Sequence, residues 1–410
     1  MTETVRELDL VLFGATGFTG RLVAEFIATK HAGLRWALGG RSRDKLERVR
    51  AELIAKEPSA KDVAIVVADS LDPAAMADVA RRARVVCSTV GPYALYGAPL
   101  VAACAEFGTA YCDLTGEVDW MRGMIDAHHA RAMATGARIV PACGFDSIPS
   151  DLGVLVLGAH LRDRGRQLVA ARLRVVRMKG GVSGGTFASG LAMAERAGRD
   201  RETRRILADP YALNPEGERT GPDRSDKLAP HKDAATGHWL APFVMAGTNT
   251  RVVRRSHALS GFPHGRDFRY EEVSDMGAGV AGYARATAMS AALGAFVGAA
   301  ALGPTRRLLA RVVTQPGSGP SEEKRKGGSF GIVIDGTADD GSVTHVRVEA
   351  DKDPGYGATA IMLGQSALAL CEPLEGVSRG GLLTPATAPG LGLLLVDRLR
   401  AEGFRFEVSN

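Results

Sequence analysis

The sequence predicts an α/β protein: a Rossmann-type, doubly wound parallel sheet plus a second α+β domain with a mostly antiparallel sheet. Three observations carry that expectation. The apolar run Leu10 to Phe13 breaks into the turn Gly14-Ala15-Thr16-Gly17-Phe18-Thr19-Gly20 and resumes as an amphipathic segment, Arg21 to Thr29. Short apolar runs then alternate with helical segments as far as Cys143. Beyond about residue 150 the period of the pattern falls to two, as in strands with one wet face.

The opening unit is a strand, a tight turn and a helix. Gly14 permits the turn, Gly17 admits a pyrophosphate to the main chain, and Gly20 lets the helix pack close to the strand. Gly14, Thr16, Gly17, Phe18, Thr19 and Gly20 are therefore candidate dinucleotide contacts. The next run, Arg35 to Gly40, ends in Arg41-Ser42-Arg43 with no acid at the strand end. An acid there would accept from a ribose 2′-hydroxyl, whereas Arg41 and Ser42 suit a 2′-phosphate, so the expected cofactor is NADP rather than NAD. A helix is expected over Ser42 to Glu57, then a strand, Val63 to Ala68, that ends at Asp69, a further cofactor candidate. A helix opening at Asp72-Pro73 follows, then a strand, Val85 to Val90, before Gly91-Pro92-Tyr93. The helix Ala98 to Phe107, the strand Ala110 to Leu114, a helix through His128 and the strand Arg138 to Cys143 complete the alternation. Function is expected at the carboxyl ends of these strands, which sets Val90, Gly91 and Pro92 beside the cofactor.

In the second half, Ala171 to Arg177 and Phe268 to Val273 alternate, and Phe330 to Ile334 with Val343 to Glu349 read as a hairpin across Asp339-Asp340-Gly341. The expected domains are 1–150 for the dinucleotide, 151–375 for substrate and oligomerisation, and 376–410 as a helix and strand packing back on both. Asp200 to Gly237, rich in charge, Pro and Gly, is expected to be a mobile excursion, and Pro316 to Gly328 a linker. Residues 286–305 carry no charge, with Arg285 before them and Arg306-Arg307 after. Ala and Gly confer little transfer energy, so a close-packed buried helix, at a homo-oligomer interface or beside an acyl pocket, is expected first. Peripheral membrane contact comes second and a span last.

A formal net charge of +5, not gathered into one run, does not point to nucleic acid. Cys87, Cys104, Cys112, Cys143 and Cys371 form no CxxC pair and no zinc spacing with His, so no metal is expected and the thiols should be buried and reduced. Met1 to Glu7 has no apolar secretory core, which with the cysteine usage suggests a cytoplasmic protein.

Tyr-xxx-Lys chemistry is excluded at Tyr93, Tyr96, Tyr111 and Tyr283, which are followed four residues on by Gly97, Leu100, Thr115 and Thr287. Hydride chemistry would then be run by the cofactor, with the protein supplying position and a proton. Three strand-end loops are candidates. In the first, Tyr93 or Tyr96 is either a proton donor or packing. In the second, Asp113 to Glu117, Thr115 and Glu117 read as a helix cap with its first-turn acid. In the third, Pro141 to Asp151, Asp146 and Ser147 orient nicotinamide or substrate, Ser150 and Asp151 start the next helix, and Cys143 lacks a charged activator. Ser183, Gly184, Gly185 and Thr186 read either as N–H donors to a phosphate or carboxylate or as a plain connector. Arg251, Arg254 and Arg255 read as contacts to an acidic carrier or a phosphate, or as a solvated strand face.

Together, Gly14 to Gly20, Gly40-Arg41-Ser42, Val90 to Tyr93, Tyr111 to Glu117, Cys143 to Asp151 and Ser183 to Thr186 resemble the saccharopine-dehydrogenase-like oxidoreductases, specifically the actinobacterial trans-acting enoyl reductases. The resemblance implies a Rossmann domain, a mixed domain and a C-terminal helix returning to the first. It also implies an NADPH-linked reductase acting in trans on a polyketide synthase, saturating a carbon–carbon double bond of a carrier-bound acyl chain in lipid biosynthesis. Hydride would reach the β carbon and a proton the α carbon, with Tyr93, Asp146 and Ser147 as catalytic candidates. Donors near Gly184 and Gly185 or a tyrosine hydroxyl would polarise the thioester oxygen. Saccharopine enzymes bind a polar dicarboxylic amino acid, whereas the apolar stretch 286–303 suits an acyl chain. Two other readings stay open: an oxidoreductase acting on an amino-acid-derived imine, and a non-catalytic, membrane- or lipid-associated dinucleotide-binding protein.

Overall fold

The computed structural model describes residues 6–30, 33–180, 184–312, 321–374 and 379–409. Its strands in chain order are β1 Leu8–Phe13, β2 Trp36–Gly40, β3 Ala64–Val67, β4 Ala83–Ser88, β5 Ala110–Asp113, β6 Arg138–Val140 and β7 Leu168–Lys179. There follow β8 His231–Lys232, β9 Trp239–Pro242, β10 Arg269–Asp275, β11 Ser329–Ala338, β12 Val343–Ala350, β13 Gly381–Leu382 and β14 Arg405–Ser409. Two sheets result. The first runs β13-β6-β5-β4-β1-β2-β3 with every pairing parallel. Its strand order reverses between β1 and β4, the point at which such sheets open a crevice at their carboxyl edge. The second runs β14-β12-β11-β7-β10-β9-β8 and is antiparallel except where β7 meets β10.

The residue pattern explains the difference. Helices cover both faces of the first sheet, so β1 and β2 are apolar nearly throughout and buried at almost every position. In the second sheet β12 buries every other residue, turning Thr344, Val346, Val348 and Ala350 inward. The inner face packs on helices Ile148–Arg162 and Ala246–Leu259, and one continuous core runs from Leu12 and Ile27 to Ile334, Val348 and Phe406. Helix Thr359–Cys371 falls within the stretch 151–375, yet it packs on helix Phe18–Lys30 and on the first sheet. Gly364 allows that approach, because a Cβ there would meet the Phe26 ring at 2.4 Å. All five cysteines are buried and free.

Three expectations are corrected. The segment 200–237 is not a loose excursion: it contains helix Arg201–Ala208 and β8 and is pinned by buried arginines. Arg251 donates to the Leu207 carbonyl at 3.2 Å, Arg254 to that of Pro210 at 3.1 Å, and Arg122 to those of Ala212 and Asn214 at 3.1 Å. Arg251, Arg254 and Arg255 accordingly form neither a carrier-docking patch nor a solvated strand face. They lie on helix Ala246–Leu259, which is buried almost all round, so each guanidinium needs an internal acceptor and takes the carbonyls of that segment. Arg254 adds an ion pair with Asp223 at 2.7 Å. Third, the apolar helix Gly279–Ala301 is not buried in the chain. Only Gly282, Ala286 and Ala300 are covered, and by length and composition it is apolar enough to cross a membrane.

Candidate functional site

The turn after β1 is built for a close-approaching ligand. Gly14 has φ +94°, and a Cβ on it would meet Thr89 Oγ1 at 2.7 Å and Val90 Cγ2 at 2.8 Å. A Cβ on Gly20 would stand 2.3 Å from the Gly14 carbonyl oxygen, so the helix can begin this close to the strand only at glycine. Thr89 seals the turn from the β4 side, its N–H donating to the Phe13 carbonyl at 2.9 Å and its hydroxyl to that of Gly14 at 3.1 Å. The first N–H groups of helix Phe18–Lys30 have no carbonyl within the helix and open from the turn that follows β1. This cradle fits a pyrophosphate. Thr16, Phe18 and Thr19 lie on it, and the loop holding Val90, Gly91 and Pro92 flanks it.

At the end of β2, Ser42 caps helix Arg43–Lys56 by accepting the Lys45 N–H at 3.4 Å. Arg41 is exposed and has no ion pair among the described residues, so its guanidinium is available to a phosphate. Asp69, exposed beyond β3, accepts the Leu71 N–H at 3.0 Å. No acidic side chain occupies the end of β2.

The catalytic candidates separate on inspection of their partners. Tyr93 is buried, its hydroxyl donating to the Ser88 carbonyl at 3.1 Å and accepting the Leu114 N–H at 3.1 Å. Burial pushes that phenol well above its ordinary value, and nearby Asp113 adds to the shift. Its proton is committed. Ser147 is fully buried and donates to Asn249 at 3.2 Å, while Asn249 donates to Glu272 at 2.9 Å, so it belongs to the interdomain core. Asp113 is likewise buried and receives Tyr111 O–H at 2.8 Å and the N–H groups of Thr115 at 2.9 Å and Ala142 at 3.0 Å.

Asp146 differs from all of these. It sits partly exposed beyond β6, no other side chain among the described residues hydrogen-bonds its carboxyl, and burial pushes it up to about 7. A Cβ on Gly116 would lie 4.0 Å from its Oδ1, 3.7 Å from Thr248 Oγ1 and 3.8 Å from Met245 Cε. The crevice wall facing Asp146 is therefore glycine backbone, a threonine hydroxyl and an apolar methionine. Thr248 is itself anchored, donating to the Gly116 carbonyl at 2.8 Å.

Glu117 has a larger role than that of a first-turn acid. Fully buried, it accepts the N–H groups of Tyr93 at 2.7 Å and Ala94 at 3.2 Å, capping the helix Tyr93–Tyr96 that follows the cofactor loop. From the other domain, helix Gly184–Arg199 brings Ser189 to it at 2.8 Å and Arg196 at 3.2 Å, and Arg196 also grips Asp119 at 2.6 Å. That helix begins beside the glycine turn, where the Gly184 N–H donates to Tyr356 Oη at 3.2 Å and the Tyr356 ring stands edge-on to Phe18 at 4.9 Å. Gly185 and Thr186 follow on its first turn, while Ser183 lies outside the described residues. The helix thus spans the crevice from Phe18 to Glu117. Tyr356 was not singled out in the sequence, because it lies hundreds of residues from the motif that it touches.

Comparisons with known proteins agree with this geometry. Residues 10–140 match the saccharopine dehydrogenase NADP binding domain. The Mycobacterium tuberculosis protein Rv2449c is 44% identical over 428 residues, covering 100% of this chain and 99% of its own. A trans-acting enoyl reductase of Mycobacterium ulcerans and another of Mycobacterium bovis are each 40% identical over 409 residues, covering 96% of both chains. Among solved structures, the saccharopine dehydrogenase (L-Glu forming) of Saccharomyces cerevisiae superposes with a TM-score of 0.54 over 98% of this chain and 99% of its own, at 12% identity, a likeness of fold. The chain belongs to the saccharopine-dehydrogenase-like family that includes the mycobacterial trans-acting enoyl reductases, and it carries that family's NADP-binding domain.

Proposed function

We propose that the protein is an NADPH-dependent enoyl reductase that saturates the carbon–carbon double bond of an acyl thioester delivered on a carrier, acting in trans on a polyketide or fatty chain. The observation that carries the mechanism is Asp146: a carboxyl pushed up to about 7 by burial, with no side-chain hydrogen bond among the described residues, beyond β6 at the carboxyl edge of the parallel sheet. NADPH, when bound, supplies the hydride. The Gly14 to Gly20 turn holds its pyrophosphate, and Arg41 holds the 2′-phosphate.

Reduction of an enoyl thioester adds hydride at the β carbon and leaves negative charge on the α carbon and the thioester oxygen. Asp146, protonated at or below neutral pH, gives the α carbon its proton. Tyr356 accepts from Gly184, and its O–H, which has no acceptor among the described residues, donates toward the developing oxyanion, with the N–H of Gly185 on the first turn of helix Gly184–Arg199 beside it. The guest is uncharged near the reacting carbons, since the wall there is the Gly116 backbone, the Met245 methyl group and the Thr248 hydroxyl, whose proton is already given to the Gly116 carbonyl. Arg196, which pairs with Glu117 next to Gly116, is also bound by Asp119, so its charge is not free for a dicarboxylic amino acid. The relatives named as trans-acting enoyl reductases support the same reaction class. The test is loss of NADPH absorbance with a pantetheine-linked enoyl thioester. Turnover with the thioester but not with a glutamate-derived imine supports the proposal, whereas tight NADPH binding without turnover on any enoyl thioester overturns it.

A further inference from the structure

Helix Gly279–Ala301 touches the body of the protein along a single stripe, through Gly282, Ala286 and Ala300, with Phe296 edge-on to Phe187 at 5.8 Å. At about 100° per residue, its exposed positions sweep roughly two-thirds of the circumference. Val280 is 85% exposed, Val297 55%, and beyond the helix Leu302 is 62% and Leu308 61%, with Tyr283 and Met289 also on the open surface. Single exposed apolar side chains are ordinary, but a contiguous run of them marks a contact. Charge adds direction. Between Asp275 and Glu322 the chain has no acidic residue; on this face Arg285 is the exposed cation among the described residues, while Arg306 is turned inward, donating to the Ala300 carbonyl at 3.1 Å and pairing with Glu195 at 3.6 Å. Arg285 is exposed, and Tyr283 packs on Trp239 at 4.7 Å near the same end of the helix.

We propose that this face docks peripherally on an anionic lipid bilayer, with helix Gly279–Ala301 lying in the headgroup region. A second copy of the chain would cover one further stripe of the helix and, in a pairing about a two-fold axis through this face, would bring the two copies' exposed Arg285 side chains toward each other. A bilayer covers the whole projecting perimeter and supplies an anion to Arg285 and an interface to the aromatic pair. The helix lies on the membrane rather than spanning it, because Ala and Gly confer little transfer energy and the stripe through Ala286 and Ala300 keeps it on the body. No residue of the crevice enters this inference, so it stands apart from the enzymatic reading. The two surfaces are nonetheless continuous, since helix Gly184–Arg199 contacts Phe296 through Phe187 and the crevice through Ser189 and Arg196.

The experiment is sedimentation of the full chain with vesicles of phosphatidylcholine alone and of phosphatidylcholine with about one-third phosphatidylglycerol. The chain should pellet with the anionic vesicles and at least about tenfold less with the neutral ones. Val280→Glu combined with Val297→Glu should weaken binding by about tenfold or more, and Arg285→Glu by about fivefold or more. Both positions of the double variant are exposed, and an unchanged NADPH titration shows that the fold is intact. The proposal is overturned if neither vesicle binds the chain, if the double variant binds undiminished, or if light scattering shows a dimer that the double variant disperses.

Discussion

Asp146 and Tyr93 stand at the carboxyl ends of neighbouring stretches of one sheet and have opposite fates. Tyr93 is buried with both hydroxyl functions used, whereas Asp146 keeps a free carboxyl at about 7. Asp146→Asn should therefore lower kcat by roughly 10²- to 10⁴-fold with NADPH affinity changed by less than about threefold, as for a general acid. The sign with pH follows. The active form is protonated, so kcat should fall as pH rises through about 7, and the Asn variant should lose that limb. An unchanged pH profile in the variant would remove Asp146 from the proton transfer. Arg41 supplies a second test at this scale: Arg41→Ala should raise the Kd for NADPH about tenfold or more while leaving that for NADH nearly unchanged, measured by fluorescence titration. The placement of both residues beyond strand ends was legible in the sequence, because an alternating pattern marks where each strand stops. What the sequence withheld was their partners. Nothing local tells that Ser147 donates to Asn249, or that Glu117 is sealed under Arg196.

Among the elements, the glycine turn is the most constrained. Gly20→Ala would force a Cβ to within 2.3 Å of the Gly14 carbonyl oxygen, a backbone atom that cannot swing aside. The expected outcome is displacement of helix Phe18–Lys30, a stability loss of about 1–3 kcal/mol by chemical denaturation and loss of NADPH binding. Helix Ala246–Leu259 makes the complementary case. Its arginines at 251, 254 and 255 share one helical face, and in sequence that pattern reads as a solvated surface. Their burial depends on the carbonyls of Leu207, Pro210 and Leu213, about forty positions upstream, which no local pattern reveals. Arg254→Ala would take from Asp223 its ion-pair partner, leaving it the Tyr270 N–H alone, and from the Pro210 and Tyr270 carbonyls their guanidinium donor. It should cost about 3–5 kcal/mol and loosen the segment 200–237, read as faster hydrogen exchange there. The strands and helices themselves were legible because their signals are local: period two in β12, Pro73 and the Asp72 cap opening helix Pro73–Arg82, and glycine at the β1 turn.

At the scale of the whole molecule, the two sheets are closed by the same stretch of chain. After helix Thr359–Cys371 the chain adds β13 to the first sheet beside β6, lays helix Leu393–Ala401 against helices Ile148–Arg162 and Thr359–Cys371, and ends as β14 on the second sheet. Arg138 reaches from β6 to the Pro389 carbonyl at 2.9 Å and the Leu370 carbonyl at 2.7 Å, and Arg255 reaches the Leu382 carbonyl, so buried donors on both sides need this return. Leu382, Leu395, Val396, Leu399, Phe404 and Phe406 are all buried. At about 1.5–3 kcal/mol each, their removal forfeits on the order of 10 kcal/mol, comparable with the entire stability of a typical domain. A chain stopped after Leu374 should therefore fail to fold in either half, and the full chain should unfold in one transition rather than two. Calorimetry checks this. Two separated transitions in the full chain, or a soluble truncated chain that still binds NADPH, would show that the first sheet is self-sufficient and that the shared core from Leu12 to Phe406 does not couple the halves.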